Sequence, residues 1–279
     1  MGQNSFLKDL VRTIYKTKAR FFSILAIIAI GVGFFAGINA TQPDMLLSAE
    51  KYFKEHNLSD FKIISPLGFR EQDLEEISKI RGVKDIQWGY SKDVFLNFGG
   101  ATSSIVKIFS FDADDFIDSK GQNIPLIREG RMPQRPGEMA IEYGINVPKE
   151  LKIGSKVDLY LPEGENIKNY IKSREFTITG IIDSPLYINL ERGQTNIGNG
   201  SIDFFAYIIE KDFNMDRYND VFISTNESKN LSPYSNEYKE YIVSIKKPLE
   251  DLGKRAIEEE TGELKEELKK GMEELIKNE

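Results

Sequence analysis

The chain has 279 residues, no cysteine and a single histidine, His56. Without cysteine there is no disulfide framework and no thiolate chemistry, so stability depends on packing alone. One histidine excludes a zinc site built on two histidines, and the charged neighbours of His56 favour a surface or capping role over catalysis. The sequence therefore predicts no catalytic residues, no metal and no cofactor.

Two further stretches fall short of known enzyme or metal motifs. The glycine-rich residues 193–200 lack the Gly-Lys-Ser/Thr ending that places a lysine on phosphates. The acidic stretch FDADDFID, residues 111–118, lacks the glycine and glutamate that an EF-hand needs, because Ile117 and Asn123 stand at those places. We interpret them as a flexible connection and a solvated turn, and we expect that the chain is not an enzyme.

Acidic residues outnumber basic ones outside the amino terminus. Acidic residues number 44 against 37 basic ones, a net charge of −7, and residues 1–20 alone carry +4. The remainder therefore carries −11. Such a surface repels nucleic-acid phosphates and anionic lipid headgroups, so we expect no nucleic-acid partner and no peripheral membrane face there.

One long stretch has no charge at all. Residues 21–38 read FFSILAIIAIGVGFFAGI, with Ser23 as the only polar side chain. Eighteen helical residues span about 27 Å, close to the hydrocarbon thickness of a bilayer. The sequence predicts a transmembrane helix in contact with lipid through Phe21, Ile24, Leu25, Ile27, Ile28, Ile30, Val32, Phe34, Phe35 and Ile38. A cleaved signal peptide is the alternative, but its apolar core is shorter, about 7 to 15 residues, and ends in a small-x-small site.

The flanks of this run predict its orientation. Basic residues precede it, and the first charges after it are Asp44 and Glu50. By the positive-inside rule, the amino terminus is cytoplasmic and the part after residue 39 is extracytoplasmic, at the cell membrane. The basic flank comprises Lys8, Arg12, Lys16, Lys18 and Arg20. In residues 6–17, apolar side chains recur at the helical period and polar ones lie between them. This pattern predicts an amphipathic helix, which is either a docking helix or a plain basic flank.

Small residues interrupt the apolar run. Gly33 and Gly37 are four residues apart, a spacing that allows a second membrane helix to approach closely. We expect further membrane helices or a second copy of the chain to pack there.

After the run, the pattern changes to short elements. Thr41 to Asp44 resembles a helix start, with a helix to about His56, and another helix is predicted at 71–80. The segments between turns predict strands, and the fold class is α+β. The predicted strands are Phe61–Ile64, Asp85–Tyr90, Val94–Phe98, Ser104–Phe111, Glu138–Ile141, Lys156–Leu161, Glu175–Ile182, Ile202–Ile209 and Val221–Ser224.

From about Asn236 the chain is predicted to be helical, heavily charged and of coiled-coil type, and it needs a partner helix. Its intermittent apolar stripe comprises Tyr241, Ile245, Leu249, Leu252, Ile257, Leu264, Leu268 and Leu275. We therefore expect four parts: a cytoplasmic basic helix at 1–20, a transmembrane helix at 21–38, an extracytoplasmic α+β core domain at 39–233 and a helical arm at 234–279.

An ordered series of stretches resembles the amino-terminal portion of an ABC-transporter permease of the FtsX-like, MacB type. They are Ala19–Met45, Arg128–Glu142, Leu151–Leu159 and Phe176–Ile208. The resemblance implies an extracytoplasmic core domain between the first and second membrane helices, a later bundle of membrane helices and a separate cytoplasmic ATPase.

We therefore expect a permease subunit that couples ATP hydrolysis by a separate ABC-type ATPase to movement of an extracytoplasmic domain, for export or release of a substrate. The alternative is a single-span, membrane-anchored receptor or binding module. A reading frame that continues into further spans favours transport, and a stop after Glu279 favours the receptor.

Overall fold

The computed structural model describes residues 3–99, 103–112, 121–189 and 191–277. The side chains of 3–6, 267–268 and 271–277 lie outside that description. Residues 113–120 also lie outside it, and with them most of the acidic stretch for which a solvated turn is predicted. The chain divides into two compact units, Met1–Lys51 and Tyr52–Glu279.

The first unit is helical. Helix α1 comprises Gln3–Lys16 and helix α2 comprises Lys18–Glu55, whose last turn belongs to the second unit. The predicted helix start at Thr41 is wrong, because α2 continues through Pro43 without interruption. Instead of capping a new helix, the Thr41 hydroxyl donates to the Gly37 carbonyl at 2.8 Å. Pro43 removes one N–H from the helix, which is a local loss that α2 tolerates.

The described residues of the second unit form ten strands, a short helix α3 (Glu71–Ser78) and a long helix α4 (Asn236–Lys277). A small sheet has the order β1-β10-β2, and a large sheet has the order β5-β8-β6-β9-β4-β3-β7. The α+β class is confirmed. The strands are β1 (Phe61–Ile64), β2 (Val83–Gly89), β3 (Ser91–Asn97), β4 (Ser103–Phe111), β5 (Leu126–Gly130), β6 (Glu138–Glu142), β7 (Lys156–Tyr160), β8 (Glu175–Asp183), β9 (Phe204–Ile209) and β10 (Asp220–Thr225).

The large sheet closes on itself, because β8 pairs with β7 as well as with β6 and β5. The β4–β9 and β6–β8 pairs are parallel and the others are antiparallel. Inside the ring of strands lies the main core, which includes Leu96, Ile108, Ile141, Phe176 and Phe204. The alternation of apolar and polar residues along these strands places one set of side chains in this interior.

The small sheet has its own core, formed with α3 and α4. Ile77 of α3 and Ile245 of α4 pack with Val221 and Ile223 of β10. The first part of the predicted apolar stripe of α4 is thus buried within the unit. Farther along, Ile257 and Leu264 are exposed, while the side chains of Leu268 and Leu275 lie outside the described residues. A coiled coil along α4 remains a prediction.

All nine predicted strands are present, with ends that differ by a few residues. Strand β5 was missed, because it has five residues, carries Arg128 and Glu129, and lies at an edge of the sheet. Charged side chains are common on edge strands, where they discourage pairing with other chains, and they weaken the apolar signal of a strand.

Candidate membrane-spanning helix and sheet junction

Helix α2 is long and apolar enough to cross a membrane, and none of its most apolar window is buried. The ten apolar side chains from Phe21 to Ile38 that were predicted to face lipid are all exposed, from 38% at Phe21 to 71% at Phe35. A helix that is hydrophobic on all sides is normally buried in a core or in a bilayer. Within the described residues, no core covers this one.

The few polar side chains near the run are satisfied by their own helix. Ser23 donates to the Ala19 carbonyl at 2.8 Å, and the Asn39 amide donates to the Phe35 carbonyl at 2.8 Å. An unsatisfied polar group in hydrocarbon costs several kcal/mol, so such internal bonds make these residues compatible with lipid.

The two predicted helix-packing glycines are unobstructed. A Cβ atom added at Gly33 or Gly37 would meet no atom within 4 Å, and the same holds for Gly31. The surface around Gly33 and Gly37 is therefore open to another helix.

The predicted basic flank lies on two helices. Lys8, Arg12 and Lys16 are on α1, Lys18 and Arg20 begin α2, and all five are exposed. Helix α1 also exposes four apolar side chains, those of Leu7, Leu10, Val11 and Tyr15. The predicted amphipathic helix is present, with both of its faces uncovered in the first unit.

In the second unit, the end of α2 is attached to the segment before β5. His56 is half-buried, its Nδ1 atom lies 2.7 Å from the Ile124 carbonyl oxygen, and the Ile124 N–H donates to the His56 carbonyl at 2.9 Å. The Tyr52 ring lies against the imidazole, with centroids 4.5 Å apart. Since a carbonyl only accepts, Nδ1 carries a proton here. His56 therefore makes a structural contact that holds the end of α2 against this segment.

Two asparagines continue this attachment. Asn57 and Asn123 both have positive φ, 49° and 55°, a conformation that asparagine tolerates better than most residues. The Asn57 amide donates to the Gly121 carbonyl at 2.6 Å, and the Asn123 N–H donates to the Asn57 carbonyl at 3.0 Å. The Asn123 side-chain oxygen accepts from the N–H and the hydroxyl of Ser59, both at 3.0 Å.

Asp60 connects the same turn to the small sheet and to α4. Its carboxylate accepts from the N–H and the hydroxyl of Thr225 at 2.7 and 2.9 Å, and from the Tyr238 hydroxyl at 3.4 Å. Burial, together with the Asp60 carboxylate, raises the pKa of Tyr238 to about 12. Sequence reasoning missed Asn57, Asp60 and Asn123, because such residues are usual in turns and their partners are distant in sequence.

The two sheets are joined beside Tyr90. Its ring stacks between Phe213 and Tyr218, with centroid distances of 5.2 and 4.6 Å, and burial raises the pKa of Tyr90. The Asn219 side chain accepts from the Ser91 N–H at 2.7 Å and donates to the Ser91 carbonyl at 2.8 Å. The aromatic stack and the two Asn219–Ser91 hydrogen bonds hold the connection between β2 of the small sheet and β3 of the large sheet.

An open cleft of about 660 Å³ lies next to this junction. Tyr90 and Phe213 contribute aromatic surface, while Lys172, Lys211 and Glu210 contribute charges of both signs. Among the described residues, no three His, Asp or Glu side chains are grouped so that they could hold a metal ion. The cleft therefore presents aromatic surface beside charges of both signs.

Three solved structures are similar to the chain. The extracellular domain of YknZ, a noncanonic ABC-type transporter of Gram-positive bacteria, has 11% identity over 65% of this chain and 86% of its own, with a TM-score of 0.34. The periplasmic region of MacB from Actinobacillus actinomycetemcomitans has 11% identity, coverages of 76% and 98%, and a TM-score of 0.36. A domain of a protein named as a permease, from Porphyromonas gingivalis, has 15% identity, coverages of 62% and 72%, and a TM-score of 0.31.

No family model matches the chain, and no curated protein matches it. The three structures are named as parts of permeases or ABC transporters.

Proposed function

We propose that this chain is the amino-terminal part of an ABC-transporter permease subunit. Residues 21–38 cross the cell membrane, residues 1–20 are cytoplasmic, residues 39–233 form an extracytoplasmic core domain and residues 234–279 form a helical arm. The observation that supports this most directly is the single helix Lys18–Glu55, which contains the whole exposed apolar run and ends at residues that are hydrogen-bonded to the β-sheet unit.

In this proposal, a separate ABC-type ATPase binds on the cytoplasmic side, and its ATP-driven movement displaces the basic flank. Helix α2 carries the displacement across the bilayer to the core domain, which then changes how it holds a substrate or a partner. The attachment through His56, Asn57 and Asp60 supports this step, because these residues connect the helix end to the segment before β5, to β10 of the small sheet and to α4.

The membrane orientation is tested with single cysteines, because the chain has none of its own. Thr17→Cys and Glu163→Cys replace exposed residues on opposite sides of the proposed span. With a membrane-impermeant maleimide, we expect Glu163→Cys to react on intact cells and Thr17→Cys to react only after permeabilisation. Labelling of both variants on intact cells, or of neither, would refute the proposed topology.

The ATPase partner is tested by purifying the chain from its source membranes in mild detergent and identifying co-purified nucleotide-binding subunits by mass spectrometry. We expect Lys8→Glu/Arg12→Glu to lose this subunit and the control Lys265→Glu/Lys269→Glu, on the exposed arm, to keep it. Absence of any nucleotide-binding subunit from the unsubstituted sample would contradict the transporter and favour the single-span receptor.

A further inference from the structure

The layer between the two sheets contains buried polar atoms that no protein group satisfies. We call this the inter-sheet layer: the face of the small sheet with Lys62, Asp220, Phe222 and Ser224, the facing residues Asp93, Lys107 and Phe109, and the segment 121–124. Throughout the described part of the chain, every buried side-chain nitrogen or oxygen that lacks a hydrogen bond lies in this layer. They are Gln122 Oε1, Asn123 Nδ2, Asp220 Oδ1 and Ser224 Oγ, whereas Asp93 Oδ1 and Asp220 Oδ2 have the ammonium groups of Lys107 and Lys62 as partners.

In native proteins, roughly 90% or more of buried polar groups are paired with protein or with ordered water, so these atoms are expected to have a partner. An unsatisfied buried group costs about 1–3 kcal/mol. The main core inside the large sheet has none of these atoms among the described residues. The inter-sheet layer therefore differs in kind from the dry core beside it.

Two ion pairs account for part of the charge in the layer. Lys62 Nζ lies 3.1 Å from Asp220 Oδ2, and Lys107 Nζ lies 2.7 Å from Asp93 Oδ1. The Lys62 ammonium also lies over the rings of Phe109 and Phe222, 4.6 and 5.3 Å from their centroids. Since two ammonium groups already balance two carboxylates, a metal cation would meet no excess of negative charge here.

A cavity of about 50 Å³ lies in the layer, and its walls include Phe109, Phe222, Gln122 and Asn123. A water molecule takes about 30 Å³ in the liquid, whereas an apolar cavity that binds benzene measures about 150 Å³. The volume thus fits one or two water molecules.

The polar groups at this cavity have a fixed orientation. The Gln122 amide nitrogen donates to the Asp85 carbonyl at 3.2 Å, so its Oε1 atom is left as an acceptor. The Asn123 Oδ1 atom is held by Ser59, so its Nδ2 atom is left as a donor. Exchanging the two atoms of either amide would break these bonds. A water molecule can both donate a hydrogen bond to Gln122 Oε1 and accept one from Asn123 Nδ2.

We propose that the inter-sheet layer is a hydration site, in which one or two water molecules occupy the cavity and hydrogen-bond to Gln122 Oε1 and Asn123 Nδ2. The two sheets then meet across bound water on one side of the Tyr90 junction. This inference is independent of the transport function.

The direct test is a crystal structure of the full chain in detergent, with and without xenon pressure. We expect water density within hydrogen-bonding distance of Gln122 Oε1 and no xenon in the cavity. An empty cavity, or one that takes up xenon as dry apolar cavities do, would overturn the proposal.

A second test compares two phenylalanines of equal burial by X-ray hydroxyl-radical footprinting of the full chain, which oxidises side chains beside bound water. Phe109 lines the cavity and is 2% exposed, while Phe176 lies in the main core and is 1% exposed. We expect Phe109 to be oxidised several-fold faster than Phe176, and equal rates would refute the hydration site.

The substitution Gln122→Met removes the acceptor with little change in side-chain size. We expect it to lower the oxidation rate of Phe109 towards that of Phe176, while the control Gln134→Met, at an exposed position, leaves the rate unchanged. An unchanged Phe109 rate in Gln122→Met would contradict the assignment of the water to this amide.

Discussion

Arg192 and Glu142 form an ion pair that is almost completely buried, with side chains 10% and 4% exposed. The Arg192 Nε atom donates to both carboxylate oxygens, at 2.8 and 3.0 Å, and the guanidinium lies near the rings of Tyr187 and Phe205. The carboxylate also accepts from the Phe205 N–H at 3.3 Å. Arg192 therefore fastens the chain after β8 onto the outer side of the large sheet.

Removing one partner of this pair should be strongly destabilising. Arg192→Met leaves Glu142 charged and buried, for which we expect a loss of about 3–5 kcal/mol in the free energy of unfolding. The double variant Arg192→Met/Glu142→Leu should lose less than Arg192→Met alone. Urea unfolding in detergent, followed by the fluorescence of Trp88, measures both.

The control for this comparison is Lys79→Met, since the Lys79–Glu75 pair is about 70% exposed at both side chains. Exposed pairs contribute roughly 0–1 kcal/mol. A loss for Arg192→Met as small as that of Lys79→Met would show that the buried pair does not hold this segment.

Acid should weaken the turn before β6. The Arg131 guanidinium donates to both oxygens of Glu138, at 2.7 and 2.6 Å, and lowers the pKa of this carboxyl from 4.5 to about 2. Because the folded state has the lower pKa, this contribution to stability is present above pH 4.5 and is lost as the pH falls towards 2. We expect Glu138→Gln to lower the free energy of unfolding at neutral pH. The same substitution should also reduce the fall of that free energy between pH 4.5 and about 2.

Acid titration of the unfolding free energy measures this effect, with the exposed Glu163→Gln as control. An equal slope in Glu138→Gln and in the unsubstituted chain would show that the Arg131 contact contributes nothing.

Gly180 is required by a close approach of two backbones. Gly180 lies within β8, and the pairing register between β8 and β6 shifts at this point. A Cβ atom at Gly180 would lie 2.3 Å from the Arg131 carbonyl oxygen. We expect Gly180→Ala to cost about 1–3 kcal/mol, because the neighbouring backbone must move.

Gly253 provides the matched control, because it lies inside α4 with no atom within 4 Å of an added Cβ. Alanine favours a helix over glycine by about 1 kcal/mol, so Gly253→Ala should stabilise the chain. Thermal unfolding of the two variants should shift in opposite directions, and a neutral Gly180→Ala would refute the steric argument.

Association of the proposed span should depend on one face of α2. A Cβ atom added at Gly33 or Gly37 would meet no atom within 4 Å, so we expect Gly33→Leu and Gly37→Leu to leave the unfolding of the β-sheet unit unchanged and to reduce co-purification with other membrane helices. Gly31→Leu is the control, because it lies on a different side of the helix and is equally unobstructed. Equal effects of all three substitutions would argue against a specific packing face.

The elements of this chain were largely predictable, because each depends on residues near in sequence. The alternation in Glu175–Asp183 and the continuous apolar character of Phe204–Ile209 identify strands without knowledge of their partners. The helix start predicted at Thr41 was wrong for a related reason. Its local pattern of Thr, Pro and Asp is the same whether a helix begins or continues. In the structure the helix continues, and the Thr41 hydroxyl donates to the Gly37 carbonyl of the preceding turn.

The candidate site was predicted only in part. The apolar run and the basic flank were visible as composition, whereas the residues that hold the end of α2 were not. Asn57 and Asn123 are separated by more than sixty positions, and nothing in either neighbourhood indicates the other. Asp60 and Tyr238 are farther apart still.

The sequence alone determined that one helix is apolar enough to cross a bilayer, that the remainder is an acidic α+β structure and where most strands lie, because these properties come from the local order of side chains. The tertiary structure decided which strands are neighbours, that the large sheet closes through β7 and β8, and that all unpaired buried polar atoms of the described residues lie between the sheets. These features depend on contacts between residues that are distant in sequence, and such contacts form only when the chain folds.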